Sequence, residues 1–235
     1  MKRLIFAVIV SLLVCPAVFA DVVFSDDFSA DTIGTLWTVN VSGANNYAGI
    51  SSDGYVTYSL VNSGYAYLYS SSFAATGDIS FSGQVFAGSY TSYPAITQSS
   101  EIAIFNSSDS SKYYKVSYEA GSNTLRFVDS GTLVDEISWA DQPSFNWKDY
   151  SLQFNGSEWA FYQGGSSVWS RASSTMDGVG SYFLGIGASD VCSNNNFTLF
   201  DNVSVTANTV PEPVSTTLFI LGGSVLALRR LRRRK

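Results

Sequence analysis

Apolar and polar residues alternate with a period of two through most of this chain. Tyr65-Ala66-Tyr67-Leu68-Tyr69, Ile79-Ser80-Phe81-Ser82-Gly83-Gln84-Val85 and Tyr114-Lys115-Val116-Ser117-Tyr118 show it most clearly. Successive side chains of a strand point to opposite faces, so each run predicts a strand with one face buried. Strands are also predicted over Thr35–Val41, which carries Trp37, and over Glu101–Phe105, Leu125–Val128, Leu133–Trp139, Tyr182–Ala188 and Phe197–Val205. Gly121-Ser122-Asn123 and Ser130-Gly131 supply turns. Asn155-Gly156, between Tyr150–Phe154 and Trp159–Tyr162, is the strongest hairpin signal, with a loop slightly longer than the ideal two residues. About eleven to thirteen strands and no amphipathic helix of normal length predict an all-β fold, an antiparallel β-sandwich. The Ser/Thr/Asn/Gly-rich segments Ser42–Ser52 and Asn106–Ser111 read as loops.

Both ends break the alternation. Lys2-Arg3 precedes the apolar run Leu4–Val14, and Val18-Phe19-Ala20 offers a small-x-small site before Asp21. That order predicts a signal peptide cleaved after Ala20. At the other end Pro211-Glu212-Pro213 is followed by an uncharged run, Val214–Leu228, and then by Arg229, Arg230, Leu231, Arg232, Arg233, Arg234 and Lys235. The prolines fix φ and lack backbone donors, so the chain there is expected to be extended and exposed. As a hydrophobic helix, residues 214–228 rise about 22 Å, short of the ~30 Å hydrocarbon core. Snorkelling Arg and Lys supply part of the remaining reach. The basic cluster orients the tail towards the cytoplasm and leaves the body outside.

Val210–Lys235 resembles the PEP-CTERM sorting signal of Gram-negative bacteria that make exopolysaccharide: Pro-Glu-Pro, a membrane helix and an Arg-rich end stand in the same order. The resemblance implies recognition by an exosortase, a membrane transpeptidase-like enzyme that cuts near the Pro-Glu-Pro and passes the protein towards the surface. Pro211, Glu212, Pro213, Arg229, Arg230, Arg232, Arg233 and Arg234 are then the sorting residues. An ordinary single-span tail anchor is the alternative. The expected parts are a signal peptide (1–20), a β-sandwich body (21–209) and a sorting signal (210–235) that sits in the inner membrane, through its transmembrane segment 214–228, before processing.

Charge sharpens the picture of the body. Residues 21–210 hold eighteen acidic and five basic side chains, a net charge of −13 that the whole-chain value of −6 conceals. Such a body repels nucleic acid. The chain has no histidine, which excludes Ser-His and Cys-His nucleophile systems and the usual zinc sites. Cys192 is the only cysteine left after leader cleavage, so no internal disulfide forms, and it is expected to be a free thiol.

Phe24-Ser25-Asp26-Asp27-Phe28, followed by Leu36-Trp37-Thr38-Val39, resembles the opening of concanavalin A-like (laminin-G-like) jelly rolls. Leu184-Gly185-Ile186-Gly187 with Phe200-Asp201-Asn202-Val203-Ser204-Val205 resembles their closing strands. A smaller jelly roll of the carbohydrate-binding-module kind is the alternative. The resemblance implies sugar binding or a structural role, and for some members glycan hydrolysis. Hydrolytic members carry Glu-x-Asp-x-Glu or a near relative on one strand. The closest match, Asp135-Glu136-Ile137-Ser138-Trp139, fails because adjacent strand residues point to opposite faces. Glu101, Glu119 and Glu158 stand alone and are expected to be solvated. No catalytic residue is assigned.

Sugar sites stack an exposed aromatic on the ring face. Tyr90 and Tyr93, in the 88–100 loop, and Trp169 are the candidates for ligand binding. First and last strands of a jelly roll lie side by side, so Asp26, Asp27 and Asp201 are candidates to hold a structural calcium ion. The resulting expectation is an exported, non-enzymatic protein of the cell surface or extracellular matrix. Its role is structural, adhesive or glycan-binding, with an exosortase-type processing enzyme and exopolysaccharide as partners. The alternative is a surface glycan hydrolase of the same fold.

Overall fold

The structure, a computed structural model, describes residues 19–44, 46–60, 64–89, 99–119, 122–139, 146–173, 175–176, 179–190 and 196–209. Within them sixteen strands form two eight-stranded sheets. The first runs in the order β14 (Ser166–Ala172), β13 (Glu158–Gln163), β12 (Lys148–Phe154), β7 (Ile79–Ser89), β16 (Asn196–Thr209), β4 (Val56–Ser59), β3 (Tyr47–Ile50), with β1 (Phe19–Asp26) also paired to β16. The second runs β11 (Thr132–Ser138), β10 (Thr124–Asp129), β9 (Tyr113–Glu119), β8 (Ser99–Asn106), β15 (Val179–Asp190), β5 (Gly64–Ser70), β2 (Trp37–Ser42), with β6 (Phe73–Thr76) paired to β15. Neighbouring strands pair antiparallel throughout.

Alternation explains what lies between the sheets. β7 sends Ile79, Phe81 and Val85 inward, β12 sends Tyr150, Leu152 and Phe154, and β15 sends Tyr182, Leu184 and Ile186, all at most 5% exposed. Aromatic rings fill the centre. Tyr114 stacks on Trp159 at 4.6 Å, and Phe127 stacks on Trp169 at 4.0 Å, so rings from both sheets interdigitate. Side chains also join the sheets by hydrogen bonds: the Tyr58 hydroxyl donates to the Ile186 carbonyl at 2.8 Å.

The expected sandwich is present, with more strands than the alternation indicates. β3, β4 and β6 are each four residues long, too short for a period to show. β14 buries only Trp169 among six polar, small or half-buried neighbours. The segment Ser42–Ser52, read as a loop, contains β3, because Tyr47–Ile50 finds a partner in β4. β1 starts at Phe19, and Ala20, at the expected cleavage point, pairs with Asn208. Among the described residues no helix is long and apolar enough to cross a membrane. Cys192, Pro211-Glu212-Pro213, the 214–228 segment and the arginines from Arg229 to Arg234 lie outside the described residues.

Candidate functional site

The two outer faces differ in chemistry. On the first sheet Ser80 and Ser82 of β7 face Gln153 and Ser151 of β12 on one side and Thr206 and Ser204 of β16 on the other, a surface of hydroxyls and amides. On the second sheet, register brings a mixed row together: Tyr67 of β5, Gly187 of β15, Glu101 of β8, Ser117 of β9, Arg126 of β10 and Glu136 of β11. The parallel row two residues on holds Tyr69, Gly185, Ala103 and Lys115. At the two glycines the rings occupy the space a side chain would take. A Cβ at Gly187 would lie 2.3 Å from Tyr67 Cδ1, and one at Gly185 would lie 2.8 Å from Phe105 Cε2. Their absence of side chains lets the rings lie flat over β15.

Those rings mostly use their faces on one another. Tyr67 and Tyr69 stack at 5.7 Å with planes 8° apart, and Phe105 and Phe183 stack at 4.9 Å, also 8° apart. Tyr65 is different: it is tilted 57° from Tyr67 and is 37% exposed, so part of its ring meets solvent. Burial pushes the Tyr69 phenol above the ordinary tyrosine range, against the opposing effect of a side-chain hydrogen bond with Asn40. At neutral pH Tyr69 is therefore a neutral hydroxyl.

At the centre of the face lies Glu101, only 4% exposed. Its Oε1 accepts hydrogen bonds from Ser99 Oγ (2.9 Å), Ser189 Oγ (3.0 Å), Ser117 Oγ (3.2 Å) and Lys115 Nζ (3.2 Å), and Lys115 Nζ also reaches Oε2 at 3.2 Å. The expectation that Glu101 is solvated is thus corrected: a buried carboxylate requires partners, and four side chains from three other strand positions and its own strand provide them. Glu119 is also not solitary, since Arg126 lies between it and Glu136 with an ion pair to each. Glu158 is exposed, as expected.

The outward positions of β8 read Glu101, Ala103, Phe105. These three positions hold a single carboxylate, so β8 presents no Glu-x-Asp-x-Glu pattern. Register sets Glu119 opposite Ser99 and so diagonal to Glu101 on the same face. Asp135 and Glu136 do point opposite ways. Glu136 pairs with Arg126 on the outer face, whereas Asp135 Oδ2 accepts the Trp169 Nε1 proton at 2.7 Å and ties β11 to β14 across the sandwich edge.

That bond, with the stacking on Phe127, accounts for Trp169, which is 8% exposed and packed between the sheets. It offers no free ring face to a ligand, contrary to expectation, because β14 turns it inward. Tyr90 and Tyr93 lie outside the described residues. Among the carboxylates considered for calcium, Asp26 is committed to protein donors. It accepts from Phe28 N (2.8 Å), Thr32 Oγ1 (2.5 Å) and Trp37 Nε1 (2.7 Å), which pins Trp37 against Phe24 and Phe28. The opening motif is therefore a clasp of the core. Asp27 and Asp201 remain close enough to influence each other: burial raises the Asp201 pKa, and the Asp27 charge adds to that rise. Among the described residues no group of three or more His, Cys, Asp or Glu side chains is placed to hold a metal.

No protein-family model matches the chain, and no curated protein sequence matches it. Solved structures do. An endo-β-1,3-glucanase from Pyrococcus furiosus superposes with a TM-score of 0.61 at 8% identity, over 83% of this chain and 100% of that one. Lectin II from Ulex europaeus gives 0.61 at 8% identity, over 81% and 100%. A carbohydrate-binding module from Bacillus subtilis gives 0.51 at 13% identity, over 74% and 98%. At these identities the shared property is the fold, the concanavalin A-like jelly roll of lectins, carbohydrate-binding modules and glucanases.

Proposed function

We propose that this protein binds glycans through the outer face of its second sheet and does not cleave them. The observation that carries this reading is the pattern on β8. One carboxylate, Glu101, is tied to three serines and a lysine, and the next outward positions are Ala103 and Phe105. Glycoside hydrolysis requires two carboxyl groups, one for the leaving group and one for the anomeric carbon or its attacking water. A face with an exposed tyrosine ring, a row of phenol and serine hydroxyls and a lysine suits holding a sugar instead. The superposed lectins and binding modules support the same direction.

A second reading rests on Glu119, which sits diagonal to Glu101 and would be the other acid of a hydrolase. Against it, each carboxylate already pairs with its own cation, Glu101 with Lys115 and Glu119 with Arg126. The setting of this activity in the proposal is the cell surface or extracellular matrix. The protein reaches it through a leader cut after Ala20 and an exosortase-type enzyme acting near Pro211-Glu212-Pro213. Exopolysaccharide is the partner such sorting supplies. A glycan array probed with the full-length chain tests the binding. Wild type should label a set of glycans, and Tyr65→Ala should weaken at least one of them about tenfold, the loss of one stacked ring. An array with no bound glycan, or one indifferent to Tyr65→Ala, contradicts the proposal.

A further inference from the structure

The five tryptophans divide into two groups. Trp37, Trp139, Trp159 and Trp169 are at most 8% exposed, whereas Trp147 is 38% exposed. Trp147 immediately precedes β12, whose Tyr150, Leu152 and Phe154 take the inward positions, so alternation sets Trp147 with Asp149 on the outer face of the first sheet. Phe86, on the same face of β7, lies 5.5 Å from the indole at 55°, and Tyr55 lies 6.1 Å away at 60°. Two tilted rings brace the indole in one orientation and leave an apolar plate partly open to water.

The next outward positions along these strands are polar and joined to one another. Asp149 faces Gln84 across β12 and β7, and Gln84 Nε2 donates to Asp149 Oδ1 at 2.9 Å. Asn202 Nδ2 donates to Gln84 Oε1 at 3.1 Å. Asn202 stands in the bulge of β16 between Asp201 and Ser204, with φ of 51°, a conformation that re-aims its amide across the sheet. Outward positions on one strand repeat every two residues, about 6.8 Å. An indole plate and an amide–carboxylate row at that spacing fit a pyranose, with its C–H face on Trp147 and its hydroxyls on Asp149, Gln84 and Asn202. Charge narrows the ligand further. Asp149 and Asp201 lie in the row with Asp27 close by, in a body of strongly negative net charge, so an anionic sugar is repelled.

We propose that the outer face of the first sheet carries a second glycan site, centred on Trp147 with Gln84, Asp149 and Asn202, which takes neutral hexose units of a polysaccharide. It lies on the opposite side of the sandwich from Glu101 and does not depend on binding there. With both faces occupied the protein cross-links two polysaccharide chains.

Fluorescence of the full-length chain reads this site, because Trp147 is the exposed member of five tryptophans. Laminarin or hydroxyethylcellulose should shift the emission of wild type and of Glu101→Gln alike, and polygalacturonate should leave it unchanged. In native affinity gels, a Tyr65→Ala chain should still be retained by the neutral glucan. Adding Trp147→Ala should weaken that retention at least about tenfold, and Trp147→Tyr should restore most of it. Unchanged thermal midpoints would show that the variants lose stacking and not the fold. Absence of any shift with both glucans overturns the inference, as does full retention after Trp147→Ala. Loss of retention in Tyr65→Ala alone also overturns it, while leaving the surface around Glu101 in force.

Discussion

Asp201 carries a conflict that a single substitution can release. Burial raises its pKa above the ordinary aspartate value of 3.8, and the nearby Asp27 charge raises it further, while the Asn202 backbone hydrogen bond works the other way. A carboxyl whose folded pKa exceeds its unfolded one holds its proton longer in the folded state. Stability is therefore lost as pH rises from the unfolded value through the folded one, and the full penalty persists at neutral pH. Asp201→Asn keeps an acceptor for the Asn202 N–H, which Asp201 Oδ1 now receives at 2.7 Å, and removes the charge. The variant should unfold at a higher temperature than wild type at pH 7 and at the same temperature at pH 3. The opposite ranking at pH 7, with a wild-type midpoint that drops on adding chelator, would instead put a calcium ion between Asp27 and Asp201.

At the scale of elements, turn chemistry was the most legible part of the chain. Ser130 and Gly131 adopt φ of 49° and 85°, the positive pair of a two-residue hairpin turn, so the Ser-Gly signal correctly joins β10 to β11. Gly131→Val forces a β-branched side chain into that conformation and should cost roughly 1–2 kcal/mol, seen as a lower urea midpoint at unchanged slope. Asn155-Gly156 likewise marks the β12–β13 hairpin, with Phe154 opposite Trp159 and Gly156 at φ 83°. Longer alternating runs became strands within a few residues of their expected bounds. The four-residue strands were invisible because they are held by partners, not by their own pattern. The site was hidden for a similar reason. Glu101 takes hydrogen bonds from Lys115, 14 residues away, and from Ser189, 88 residues away, and only register brings these groups together. The period-two tyrosines were plain in sequence, yet nothing there distinguished an outer row, Tyr65, Tyr67 and Tyr69, from a packed one. Trp169 is the converse: an aromatic in a serine-rich strand that reads as exposed, until pairing with β13 turns it inward.

The whole molecule combines a strongly acidic jelly roll with an apolar run after Lys2-Arg3 and a second apolar run between Pro211-Glu212-Pro213 and a cluster of arginines, segments that the proposal reads as export and sorting signals. If those segments act as proposed, mass spectrometry of the surface-derived protein should find Asp21 at the N-terminus and no peptide beyond about Val214, a position set by the Pro-Glu-Pro motif. Recovery of Arg229–Lys235 from surface material would favour a permanent anchor. If glycans bind on opposite faces as proposed, the sandwich is suited to holding a matrix together, provided that it leaves the chains it holds intact. Wild-type protein incubated with a panel of polysaccharides, assayed together for retention on each polymer and for release of reducing ends, therefore separates binding from cleavage in one experiment. Retention on at least one polymer is expected, with no release above the protein-free control. Release that disappears in Glu101→Gln would contradict it and make the face around Glu101 a hydrolase site.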